Sequence, residues 1–190
     1  VASYRTQIWD GKFEARTIDL DTGVISDTAT WRAHTLLNGR VTDTSDTRTI
    51  HKFDSAAASK LKTFTWANLS AAEQAYFTSN IANLSQYSSY TAGQLAQATG
   101  QNLLAFILGQ TGYENETNNT PDNRVFRSRE NILGDIINAQ PVYVAAPGFG
   151  YADAGYSAFK TAQIARAAAV YVAANDGMLH AFDAGTYNSV

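Results

Sequence analysis

A mainly β fold interrupted by an α-helical insertion is the architecture this sequence predicts, and three observations carry the prediction. Short β-branched and aromatic runs bounded by turn formers occupy both ends of the chain, one hairpin signature occurs near each end, and around Leu69 the apolar period changes from that of a strand to that of a helix. With 190 residues, 45% hydrophobic and 16% charged, the chain is globular and long enough to bury a sizeable core.

The elements follow in order. In residues 8–20, Ile8, Phe13, Ala15, Ile18 and Leu20 are interrupted by Asp10-Gly11, a pattern that reads as a hairpin about a tight turn. Asp19-Leu20-Asp21-Thr22-Gly23 makes the next turn, residues 24–37 supply a strand ending in Trp31 and Leu36, and residues 48–53 alternate as a further strand. Ser70 followed by Glu73 is a capping-box pattern, and Ala72, Ala75, Tyr76 and Ile81 share one face of the helix it starts. Thr91 with Gln94 repeats the signature, and residues 102–108 form an apolar helix ended by Gly109. Residues 111–123, rich in Asn, read as a polar loop. Strands return at residues 141–144 and 169–172, with a short helix within 156–166, and Asn175-Asp176-Gly177 is the turn joining residues 170–173 to 178–182.

The signature Asp-Gly-x-apolar-x-Ala occurs at residues 10–15 and again at 176–181, which reads as one hairpin used twice. Repeated antiparallel hairpins build the blades of a β-propeller, each blade covering its neighbour's face. At about 40–50 residues per blade a closed propeller needs at least about four blades, and the helices occupy residues 69–112. The expectation is therefore a partial, incomplete β-propeller: residues 1–68 form a first blade region, 69–112 the helical insertion and 113–190 a second blade region, all excised from a larger domain. Exposed blade edges are then expected to be covered by further chain or by self-association.

The composition excludes several function classes. A net charge of −3 without clustered Lys and Arg gives no electrostatic basis for binding nucleic acid. The absence of cysteine removes thiol catalysis and cysteine-ligated zinc. The longest apolar runs, 103–108 and 167–174, fall far short of the ~20 residues of a spanning helix, so no membrane insertion is expected. His34, His51 and His180 are isolated, with no zinc spacing and no nucleophile signature, so neither catalytic nor cofactor-binding residues are assigned. His180 reads as a strand histidine that packs or bonds across its hairpin, and Gly148-Phe149-Gly150 as a loop. Weak calcium candidates are Asp19 with Asp21 and Asp43 with Asp46, against the six to eight oxygens the ion takes. Tyr143, Tyr151, Tyr156 and Tyr171 suit either core and cross-strand packing or a carbohydrate- or partner-binding surface, and Arg127, Arg129 and Arg166 are expected to pair with nearby acids such as Glu130 and Asp135.

Two resemblances add to this reading. Asp19-Leu20-Asp21-Thr22-Gly23 resembles the Asp-x-x-Thr-Gly turn of quinoprotein-type propellers, although Thr17 stands where Ala is usual and Asp27 where the docking tryptophan sits, with Trp31 displaced; Ala181-Phe182-Asp183-Ala184-Gly185 is a shortened relative of it. More extensively, Arg127-Ser128-Arg129, residues 133–144, Arg166 and residues 170–184, in that order, are similar to the C-terminal propeller domain of the type IV pilus tip-associated adhesins called PilY or PilC. Gly134, Asp135, Pro141, Asn175, Asp176, Gly177, His180 and Asp183 are the motif residues that carry the resemblance. It implies a non-enzymatic, exported module at the bacterial surface, at the pilus tip or outer membrane, acting in pilus assembly, extension and retraction control and adhesion. The implied partners are minor pilins, the pilus fibre and a host or abiotic surface, with calcium in some complete domains. The alternatives from other classes are a fragment of a quinoprotein (PQQ-type) dehydrogenase propeller and a carbohydrate-binding propeller.

Overall fold

The computed structural model describes residues 2–5 and 10–185. Contacts divide the chain into two compact units, Val1–Ala33 with Leu133–Val190, and His34–Ile132.

The first unit holds two three-stranded antiparallel sheets. In one, β2 (Asp10–Ile18) lies between β1 (Ala2–Arg5) and β3 (Ile25–Arg32). Asp10 and Gly11 pair with Arg5 and Tyr4, so they begin a strand and do not form the turn expected of them. The reason is the ladder itself: β1 holds Asp10 and Gly11 in register, and that pairing overrides the local preference of Asp-Gly. Ile8 and Trp9 lie outside the described residues. The Asp19 turn behaves as its composition dictates: Asp19 Oδ1 accepts from the Asp21 and Thr22 amides (3.0 and 2.8 Å) and from Thr22 Oγ1 (2.8 Å), and Gly23 takes φ +70°. β3 stops at Arg32, and α1 (Ala33–Asn38) follows, so Leu36 sits on a helix and not at a strand end. Ala33 and Leu37, one helical turn apart, are the buried pair that distinguishes this segment from a strand.

The other sheet consists of β6 (Val142–Val144), β7 (Ala169–Ala173) and β8 (Leu179–Asp183) in that order. β8 alternates cleanly, burying His180 and Phe182 while Leu179, Ala181 and Asp183 face out. Phe182 stacks on Trp31 of β3 (centroids 5.7 Å apart), and both meet Phe13 of β2 at 5.8 and 5.5 Å. These three rings join the two sheets of the unit. Between β6 and β7 lies α6 (Tyr156–Ala162), within the expected helical span.

In the second unit, β4 (His51–Phe53) pairs with β5 (Leu61–Thr63), a strand the sequence reading did not resolve. The capping boxes at Ser70/Glu73 and Thr91/Gln94 both form and start α2 (Ala71–Ala75) and α4 (Ala92–Gln97). The helix from Ser70 is shorter than expected. Thr78 leaves helical geometry (φ −121°, ψ −98°) while its hydroxyl donates to the Gln74 carbonyl, and a separate α3 (Ser79–Ala82) follows. Tyr76 is consequently exposed and does not share a buried face with Ile81. α5 (Gln101–Ile107) contributes Leu103 to a core of Tyr87, Ala98, Val125 and Phe126. Among the described residues no helix is long and apolar enough to cross a membrane.

Within this core, Glu114 is 1% exposed. It is held there by Arg129, whose Nε donates to Oε1 at 2.6 Å and whose backbone amide donates to Oε2 at 2.8 Å. The guanidinium also donates to the carbonyls of Phe106 and Gln110, at 3.0 Å each, and lies 4.0 Å over the Phe106 ring, which itself stacks on Phe126. Burial pulls Arg129 below its ordinary basicity, and the Glu114 charge opposes that pull. The pairing with Glu130 or Asp135 expected from proximity in sequence is corrected: Arg129 pairs 15 residues upstream, and the Arg166 Nε donates to the Ala145 carbonyl at 2.9 Å. Where the chain enters and leaves this unit, Asn38 ties the strands of chain together, donating to Asn131 Oδ1 (2.9 Å) and accepting from the Ile132 amide (3.2 Å).

Removing Glu114 leaves a buried guanidinium without its counter-charge. Glu114→Ala is expected to destabilise the protein by about 3–5 kcal/mol in urea denaturation. A loss below about 1 kcal/mol, the range of a surface pair, would refute the buried-pair assignment.

Candidate functional site

The motif residues of the sequence converge on the β7–β8 hairpin. Asn175, Asp176 and Gly177 form its turn, with Gly177 at φ +83°, a conformation that costs a residue with a Cβ. Within the turn, Asp176 Oδ1 accepts from the Met178 amide at 3.0 Å. The other carboxylate oxygen reaches out of the turn: Oδ2 accepts from the Gly134 amide at 3.0 Å and lies 2.8 Å from His180 Nε2. Beside it, Asn175 Nδ2 donates to Asp135 Oδ2 (2.6 Å), and the Asn175 amide donates to the Asp135 carbonyl (2.9 Å). The segment at Gly134-Asp135 is thus clamped onto the hairpin turn by three hydrogen bonds across some forty residues of chain.

Glycine at 134 is dictated by space. A Cβ built there would lie 2.5 Å from the Asp176 nitrogen and 2.9 Å from its Cβ, closer than atoms approach without displacing backbone. Two members of the clamp are buried, Asp135 at 5% and His180 at 8% exposed, while Asp176 is half-buried and Asn175 exposed. Burial pushes the Asp176 carboxyl up, but the His180 bond and charge and the Gly134 and Met178 amides outweigh it and hold the group below its ordinary value. His180 stacks on Phe182 (6.1 Å) and bonds the turn of its own hairpin, as a structural strand histidine does. What this geometry accomplishes is attachment: one oxygen of each carboxylate accepts a bond that joins the two chain segments.

Pro141 and Asp183 lie elsewhere. Pro141 precedes β6 and is exposed. Asp183 ends β8 and accepts from the Gly185 amide at 2.8 Å, with Gly185 at φ +73°, a shortened version of the Asp19 turn. Three of the four calcium candidates have carboxylates engaged with the protein, namely Asp19 in its turn, Asp43 Oδ1 with Thr111 Oγ1 at 2.6 Å, and Asp46 with Arg48 at 2.7 Å, while Asp21 contributes its backbone amide to the Asp19 turn. No group of three or more His, Asp or Glu side chains is arranged to hold a metal among the described residues. Glu114, the most buried carboxylate of the second unit, leaves no signal in the sequence that separates it from Glu116 two residues on in the same Asn- and Thr-rich stretch.

Residues 133–189, which contain the clamp and its hairpin, match the family model of a β-propeller domain, so this stretch belongs to the β-propeller class. The family is described as the PilY1 beta-propeller domain. Over 137 residues, 67% of its length, the chain is 38% identical to the type IV pilus biogenesis factor PilY1 of Pseudomonas aeruginosa (strain PAK), covering 10% of that protein. It is 41% identical over 130 residues, 63% of its length, to a PilY1 homolog of Xylella fastidiosa (strain Temecula1), again 10% of that protein. A PilY1 of Pseudomonas aeruginosa strain UCBPP-PA14 aligns with 94% of the chain at 28% identity and 14% of its own length. The chain therefore spans about a tenth of the length of the relatives first matched. These findings bear out the pilus-family resemblance read from residues 127–184. No solved structure is significantly similar to the chain.

Two measurements test the clamp. Gly134→Ala forces a methyl group against the Asp176 backbone and is expected to cost about 1–3 kcal/mol, read from urea midpoints; an unchanged midpoint would show that the approach relaxes freely. Asp176 has a depressed folded value, so the stability it contributes is fully present above about pH 4, the unfolded carboxylate range, and is lost as pH falls through the folded value. The stability gap between wild type and Asp176→Asn should accordingly narrow between pH 7 and pH 3; a gap independent of pH contradicts the assignment.

Proposed function

We propose that this chain is a segment of an incomplete β-propeller with a helical insertion, a non-enzymatic module of type IV pilus biogenesis. In this reading residues 1–68 and 113–190 carry blade strands and residues 69–112 the insertion. The module contributes to pilus assembly, to control of extension and retraction and to surface adhesion. Its partners are minor pilins, the pilus fibre and a host or abiotic surface, and its place is the exported, pilus-tip or outer-membrane side of the bacterium. No cofactor is assigned to the chain itself, and calcium is left to the complete domain.

The observation that carries the reading is the clamp inside the matched stretch. Gly134, Asp135, Asn175, Asp176 and His180, the residues on which the pilus resemblance rests, spend their polar groups on fixing one chain segment to a blade-like hairpin. A buried Asp–His pair in an enzyme would aim its free edge at a substrate; this one faces Phe182 and a backbone amide. The relatives' names point the same way, since each is called a type IV pilus biogenesis factor.

The test is genetic and biochemical. Gly134→Val in the parent protein, which breaks the clamp, is expected to reduce surface piliation and twitching motility, and the wild-type protein is expected to retain minor pilins in pull-downs. Normal piliation in a strain lacking the parent protein, together with no pilin retained, would overturn the proposal.

A further inference from the structure

Outside the clamp, one concavity of the second unit has a chemistry of its own. A pocket of about 380 Å³ lies among Thr44–Ser45, the β5 end with Trp66, and α5 with Gln110. That volume falls in the range of about 300–1,000 Å³ typical of small-molecule sites. Leu104, Ala105 and Leu108 give it an apolar floor, and Trp66, fixed edge-on to Phe77 at 6.2 Å, supplies an aromatic wall.

The pocket's polar groups divide into two sets. Its charges neutralise each other: Arg48 Nη2 lies 2.7 Å from Asp46 Oδ2, its Nε donates to Oδ1 at 3.0 Å, and its amide also donates to Oδ1, at 2.8 Å. By contrast, among the described residues the side chains of Thr44, Thr63, Thr65, Gln101 and Gln110 make no hydrogen bond within the protein. Hydroxyls and carboxamides both donate and accept. The set thus offers uncommitted two-way hydrogen-bonding groups around an indole, with no net charge.

We propose that this pocket binds a neutral saccharide of one or two rings. A sugar ring presents a face of C–H groups to lie on an aromatic wall and a rim of hydroxyls that, like the pocket's side chains, donate and accept. A phosphate or an acidic sugar would need a free cation, and Arg48 is spent on Asp46. A peptide strand would dock through main-chain groups along a sheet edge; the uncommitted groups of this pocket are side-chain hydroxyls and carboxamides, which suit a rim of sugar hydroxyls. The site is separate from the clamp and does not depend on the pilus reading.

The test is saturation-transfer NMR and tryptophan fluorescence titration of the 190-residue chain with the methyl glycosides of glucose, galactose, mannose and N-acetylglucosamine. N-acetylneuraminic acid and a neutral heptapeptide serve as comparators. At least one neutral glycoside is expected to bind saturably and to quench tryptophan emission. Affinity should fall about tenfold or more in Trp66→Ala, by loss of the aromatic wall, and in the double variant Gln101→Ala with Gln110→Ala. Phe149→Ala, at an exposed aromatic outside the pocket, should leave it unchanged. The glutamine pair keeps the test decisive if Trp66→Ala loses its fold. Binding of none of the glycosides, preference for the acidic sugar or the peptide, or binding indifferent to the glutamine substitutions would each overturn the proposal.

Discussion

The carboxylate of Asp176 is the joint on which the first unit turns. Its two oxygens take the amide of its own hairpin turn, the amide of Gly134 and the ring nitrogen of His180. Such a joint forms only if the partner backbone comes within a distance that no side chain at 134 permits, so a missing Cβ and a buried charge are two halves of one constraint. Closing a loop of some forty residues costs entropy that grows only slowly with loop length. The charge-assisted bonds at its end, roughly twice as strong as neutral ones, offset that cost where a neutral contact would not.

The second unit solves the same problem with different chemistry. Glu114 and Arg129 are both nearly inaccessible, and the guanidinium's remaining donors reach backbone carbonyls of α5 and its end. A buried pair of this kind is a weak source of net stability, because desolvating both ions costs much of what their attraction returns, but it admits one arrangement of its segments and penalises others. In each unit, then, buried charge specifies which segments meet, while the apolar clusters around Phe13, Trp31 and Phe182 and around Tyr87 and Phe126 supply the burial.

That division of labour bears on function. A carboxylate available for proton transfer or metal binding has an oxygen lone pair facing a cavity; in the clamp both oxygens of Asp176 face protein donors. The pocket beside Trp66 differs from the clamp in just this respect, since its neutral polar side chains remain uncommitted.

Local chemistry was readable from the residues alone wherever the partner lay within a few positions. The Asp19 turn, both capping boxes, the Asn175-Asp176-Gly177 turn and the three strands of the second sheet follow from neighbouring side chains and backbone, and the ordered motif from residue 127 to 184 sufficed to name the family. Tertiary structure decided everything that required a distant partner. Asp10-Gly11 entered a ladder because β1 pairs with it; residues 33–38 became helix, with Ala33 and Leu37 both buried; Arg129 chose Glu114 over nearer acids. The sequence showed Gly134 and Asp176 as separate members of a motif, and only the fold made them one contact, because a steric limit between residues forty positions apart leaves no periodic or compositional trace along the chain.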